Sequence, residues 1–150
     1  MSKYLIKYNS GSIGITQVIK GTIEEAINKW VSSVQLSVVS YRPITDIDIP
    51  LSREFRNAWC DISPSSKIDI HAGKVRDILL DNVRKERSKK LETLDKDFII
   101  ALENNDQVKL GQIKTEKNRL RDITTPLKNL TVAELATDED IAYMKSLVVL

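Results

Sequence analysis

The amino-acid sequence predicts an α+β fold: a small N-terminal antiparallel sheet with one helix, followed by a C-terminal antiparallel helical hairpin and a short helical tail. Three observations predict it. Short β-branched runs separated by turn residues fill the first 50 positions. From residue 73 the apolar residues recur at the helical period. Between these regions lies PLSREFRNAWCD, residues 50–61, carrying Phe55, Trp59 and the single cysteine, Cys60. The expected organisation is an α+β unit over 1–50, a linking helix and strand over 51–72, and a helical hairpin with tail over 73–150.

In the first segment, KYLIKY (3–8) and SIGITQVIK (12–20) read as the arms of a β-hairpin, with Asn9, Ser10 and Gly11 supplying the turn. Gly21 ends the second arm. Thr22 with Glu25 three residues later is a capping-box pattern, opening a helix through about Val34. Ala26, Ile27, Trp30, Val31 and Val34 give that helix one apolar face. LSVVSYRPI (36–44) reads as a third strand. Pro43 places it at a sheet edge or near its own end, because proline donates no ladder hydrogen bond.

In TDIDIP, Asp46 and Asp48 alternate with Ile47 and Ile49, as in a strand with one wet face. Pro50 and Ser52 then open a short helix on which Phe55 and Trp59, four apart, share a face with Leu51. After the loop composition SPSS (63–66), KIDIH alternates as a short strand does.

From Gly73, Val75, Ile78, Leu79 and Val83 form one stripe, continued by Leu91, Leu94, Phe98, Ala101 and Leu102. ENND (103–106) breaks the run, and 107–123 is helical again through Leu110, Ile113 and Leu120. A helix, a tight polar turn and a returning helix make an αα-hairpin, which needs a second surface to cover its seam. Pro126 stops the second helix, and further helices are expected near Thr131 and Thr137 before the apolar end SLVVL.

Composition bounds the function. The 150 residues suit one ordinary domain or two small units, and 41% hydrophobic with 29% charged content excludes wholesale disorder. The net charge of +2, from 23 basic and 21 acidic residues, does not by itself point to nucleic acid. The longest apolar runs, 98–102 and 147–150, fall far short of the roughly 20 residues of a membrane span. No secretory pattern opens MSKYLIKYNSGS, and one cysteine fits a reducing compartment, so cytoplasm or a particle assembled there is expected.

No catalytic residue, metal site or cofactor is expected, and the chain reads as non-enzymatic. His71 is the lone histidine and has no ligand-spaced partner. Cys60 lacks a nucleophile motif and reads as a small buried residue, and Asp46 with Asp48 as strand surface rather than paired carboxylates. Nucleotide-binding and hydrolase signatures are missing.

The basic run RKERSKK holds Arg84, Lys85, Arg87, Lys89 and Lys90. Its seven residues sweep all faces of a helix, so few can be buried. Three readings are open: phosphate contacts, a solvated helix paired internally with Asp81, Glu86 and Glu92, or contact with an acidic neighbouring subunit. No aromatic residues interleave with the lysines, which argues against a nucleic-acid platform.

Several motifs together resemble a loosely defined group of small tailed-bacteriophage proteins encoded among tail and tail-fibre genes. The first is an acidic-Ile-Pro segment, Asp48, Ile49 and Pro50, leading into an F-R-x-A-W box at Phe55, Arg56, Ala58 and Trp59. A helix start at Lys74, Arg76, Asp77 and Ile78 follows, with Leu79 where a histidine is frequent in the group. Then come Leu94 through Glu103 with Asp106, and Lys117, Leu120, Arg121, Asp122 and Thr124. The resemblance covers about 47–124. The L-R-D-x-T ending is also similar to the close of tail assembly chaperone segments.

The resemblance implies a virion structural protein of the tail module, near tail fibres or baseplate, assembled in the host cytoplasm. Its partners would be other phage tail proteins, with several copies in one assembly. The apolar run lengths lead us to expect no membrane partner, and a nucleic-acid-binding protein using residues 84–90 is the less favoured reading. The alternative is a tail or tail-fibre assembly chaperone absent from the mature particle. On this reading Phe55 and Trp59 are either a plug joining the two halves of the fold or an aromatic anchor for a partner. Arg56 lies on the polar side of their helix, within reach of an acidic group such as Asp61.

Overall fold

The computed structural model describes every residue of Met1–Leu150 except Val34, Gln35, Leu36, Pro64 and Ser66. The β-rich runs form the expected hairpin: β1 (Ser2–Tyr8) pairs antiparallel with β2 (Ile13–Val18), Leu5 opposite Ile15 and Ile6 opposite Gly14. Residues 9–12 close it. Gly11 takes φ +77°, a left-handed conformation that costs glycine little, and donates its N–H to the Tyr8 carbonyl at 3.0 Å.

Helix α1 (Ile23–Val31) starts as the capping box requires. The Glu25 N–H donates to Thr22 Oγ1 at 3.3 Å, and the Thr22 N–H to Glu25 Oε2 at 3.1 Å. It ends where the Ser32 and Ser33 hydroxyls donate to the carbonyls of Lys29 and Trp30, at 2.8 and 2.7 Å. The continuation expected at Val34 lies outside the described residues, as does Leu36 at the start of the third strand. Strand β3 (Val38–Ile44) pairs antiparallel with the other side of β1, giving the order β2-β1-β3. Pro43 sits next to last in this edge strand, where its missing N–H is harmless.

The three-stranded sheet is covered on both faces. Directly paired residues share a face, so Leu5, Ile15 and Ile44 point one way, and Ile6, Gly14 and Tyr41 the other. On the first face Leu5 and Ile44 pack with Trp59 and Ile68. The second face carries α1, tied by a hydrogen bond from the Tyr41 hydroxyl to Glu24.

Two expectations for 45–60 are overturned. TDIDIP is not a strand: Asp46–Asp48 is a 3-10 turn. Asp48 Oδ2 accepts from the Thr45 N–H at 2.8 Å and the Thr45 hydroxyl at 2.9 Å, and this local bonding wins over the alternation of isoleucines. Nor do Pro50 and Ser52 open a helix carrying the aromatic box. Ser52 Oγ accepts from the Glu54 N–H at 3.3 Å within a turn, and Leu51 is fully exposed. Only Arg56–Ala58 forms a 3-10 turn, after which the chain extends as β4 (Trp59–Cys60) and pairs antiparallel with β5 (Asp69–Ile70). Phe55 and Trp59 are therefore not on one helix face. The pairing with β5 and the burial of the indole override a helical pattern only four residues long.

The backbone divides into two compact units, Met1–His71 and Ala72–Leu150. The second is built on α2 (Ala72–Glu103), 32 residues or roughly 48 Å at 1.5 Å per residue. Asn105 reverses the chain at φ +52°, and Asp106 caps α3 (Gln107–Asp122) by accepting from the Lys109 N–H at 3.0 Å. Ala101, Leu110 and Ile113, with Leu94 and Phe98, form the core of this hairpin end.

The tail packs against α2. After α3, α4 (Thr125–Lys128) carries Pro126 in its first turn, where a missing N–H breaks nothing. Proline thus opens a new turn here. No helix starts at Thr131: residues 131–136 run beside the start of α2, with the Ala72 N–H donating to the Glu134 carbonyl at 3.0 Å. Helix α5 (Asp138–Ser146) begins as expected at Thr137, in a capping box with Asp140. Both α4 and α5 pack on α2, and Val75, Leu120, Leu127 and Met144 are fully buried. Of the apolar end, Val148 is buried and Val149 exposed, so it is not a continuous outward surface.

Candidate functional site

The aromatic box splits into two roles. Phe55 and Trp59 are each 4% exposed, so neither offers an open ring to a partner. Trp59 lies in the core of the first unit with Leu5, Ile44 and Ile68. Its indole N–H has no acceptor among the described residues. Arg56 is exposed and does not meet Asp61. The Asp61 carboxylate instead accepts from Arg42 Nε at 3.1 Å and from Arg42 Nη2 at 2.8 Å, while the Asp61 carbonyl accepts from Lys7 Nζ at 2.8 Å.

Arg56 stands at the rim of a concavity in this unit. Between α1 and the β2 edge lies a groove of about 630 Å³. Ile6, Tyr8, Ile27 and Trp30 give it an apolar bed, and Lys29 and Arg56 its charged wall. The Tyr8 and Trp30 rings lie 5.3 Å apart at 31°. Burial pushes the Tyr8 phenol up from its ordinary value, so it stays protonated at neutral pH. A second cavity of about 160 Å³ is lined by Ser12, Asn57 and Trp59, and Gly14, Ile15 and Arg56 border both spaces. Among the described residues, neither Lys29 nor Arg56 has an ion-pair partner. Apolar floor, aromatic wall and, among the described residues, unpaired cations suit binding of an amphipathic, negatively charged group.

Below this site, Asp69 organises the loop between β4 and β5. It accepts from the amides of Ile62 and Ser63 at 2.9 and 2.7 Å and from the Ser63 hydroxyl at 2.8 Å. Burial pushes its carboxyl up, but these donors, with the Arg42 charge, outweigh burial and hold it below the usual carboxylate value. Cys60 is buried, and His71 donates its N–H to the Ala58 carbonyl at 2.8 Å. Among the described residues, no three His, Cys, Asp or Glu side chains are grouped as a metal site.

The basic run lies along the middle of α2, exposed except for half-buried Arg87. Arg84 pairs with Asp81 and Lys89 with Glu86, each at 3.0 Å, and Arg87 donates to the Arg121 carbonyl at 3.4 Å. Lys90 lies near enough to Glu116 to help lower that carboxyl, after the stronger effect of Arg119. Among the described residues, Lys85 alone in the run has no partner in this network, so most of the run's charge is spent within the second unit. At the hairpin end, Ile99, Ile100, Leu102 and Val108 are each at least half exposed.

Sequence reasoning missed the groove. Its one local signal was Gly14 inside a strand between Ile13 and Ile15, a pattern that marks close approach of another group. Among the described residues, no helix is long and apolar enough to cross a membrane. Comparison with models of known families, with curated proteins and with solved structures gives no significant match.

Proposed function

We propose that this protein is a non-enzymatic structural component of a bacteriophage tail, seated near fibres or baseplate and making protein–protein contacts in several copies. The observation that carries the assembly reading is the hairpin end. Ile99, Ile100, Leu102 and Val108 are each at least half exposed around a single turn, and apolar side chains gathered on a surface favour a partner over water. Among the described residues the outer edges of β2 and β3 pair with no other strand, and such edges seek partners through their backbone groups. The tail assignment rests on the ordered motifs from Asp48 to Thr124. The test is mass spectrometry of purified particles of the phage that encodes the chain. Stoichiometric presence supports a structural component. Absence from particles together with abundance in infected cells supports an assembly chaperone, the reading favoured by the Leu120 to Thr124 ending.

A further inference from the structure

We propose that the free edge of β2 is a docking site for an extended, acidic peptide segment of another protein, which joins the sheet as a fourth strand. Strand β2 pairs only with β1 among the described residues, so one row of its backbone donors and acceptors faces outward. The two cavities of this unit straddle that edge, sharing Gly14 and Ile15.

Successive side chains of a strand point to opposite faces. A segment paired to β2 would therefore send one side chain into the groove beside α1, and the next into the smaller cavity beside Trp59. The two spaces differ in size and chemistry, about 630 Å³ over Tyr8 and Trp30 against about 160 Å³ over Ser12 and Asn57. Alternate positions would thus be read differently: a large apolar residue on the α1 side, a small polar or acidic one on the other. Backbone pairing supplies affinity and the side-chain cavities supply selectivity.

Charge identifies the occupant as acidic. Arg56 borders both cavities and Lys29 the larger one, and neither has an ion-pair partner among the described residues. Two unneutralised cations beside an apolar groove attract a carboxylate and repel a basic segment. The inference concerns the first unit alone and does not depend on the virion reading.

The test uses the full chain and two libraries of capped heptapeptides with Val, Ile or Phe at alternate positions. One library carries Asp or Glu between them, the other Lys or Arg. Selected peptides are measured by fluorescence anisotropy, and backbone protection by hydrogen–deuterium exchange. The expected result is selection from the acidic library with new protection at Ile13–Val18. The exposed double variant Lys29→Glu with Arg56→Glu should weaken those peptides by about tenfold or more and shift preference to the basic library. Failure of both libraries to bind, equal binding of both, or protection elsewhere would overturn the proposal. So would protection of Ile13–Val18 without peptide that rises with protein concentration, since a second copy would then occupy the edge.

Discussion

Gly14 leaves open the space that the Tyr8 phenol fills: a Cβ at position 14 would lie 2.5 Å from the Tyr8 hydroxyl oxygen. The missing side chain lets Tyr8 lie across β2 and meet Trp30, and this contact forms the aromatic wall of the groove.

Gly14→Val should therefore displace Tyr8 while leaving the strand intact, because valine suits a strand and the contacted atom ends a flexible side chain. The expected cost is about 1–2 kcal/mol. Far-UV circular dichroism should be unchanged, while Trp30 fluorescence and near-UV dichroism shift as the ring pair opens.

Trp59 is a core residue whose indole N–H has no acceptor among the described residues, and its two truncations should differ sharply. Trp59→Ala should cost about 3–5 kcal/mol by opening a cavity among Leu5, Ile44 and Ile68. Trp59→Phe keeps most of the ring and removes the unpaired N–H, so about 1–2 kcal/mol is expected. Trp30 is the remaining tryptophan in both variants and reports urea unfolding.

Asp69 makes the first unit acid-sensitive. Its folded carboxyl lies below the ordinary 3.8. Its stabilisation is therefore fully present above that pH and is lost as pH falls through the lower folded value. Asp69→Asn should cost about 1–2 kcal/mol at neutral pH by weakening the bonds from Ile62 and Ser63. It should also flatten the acid limb of stability, measured by urea unfolding between about pH 6 and pH 2.

The basic run should not make this a nucleic-acid-binding protein. Arg84 and Lys89 are held by Asp81 and Glu86, and Arg87 by the Arg121 carbonyl. Anisotropy with duplex DNA at about 150 mM salt should show no binding. Reversing Lys85, Arg87 and Lys89 to Glu should change nothing in that assay.

Elements set by neighbouring residues were legible in the sequence. The β1–β2 hairpin follows from β-branched runs around Asn9–Ser10–Gly11, and α1 and α5 from N-terminal caps spanning four residues. The α2–α3 reversal follows from apolar spacing broken by ENND. The region 45–60 was misread for two reasons, one local and one distant. Thr45 and Asp48 bond each other, and Trp59 pairs with Ile70, a partner that no local pattern at Trp59 announces. The groove was hidden for a related reason. It exists because β3 takes the far side of β1 and leaves β2 at an edge, a choice of strand order that periodicity does not encode.

Cross-linking mass spectrometry on purified particles tests the assembly claim most directly. Lys96 and Lys109 are exposed beside Ile99, Ile100 and Val108 and report what covers the hairpin end. The account predicts cross-links from these lysines to further copies of the chain or to other tail proteins. Particles that contain the chain but yield links from Lys96 and Lys109 only within it would contradict the claim that this end is an assembly surface.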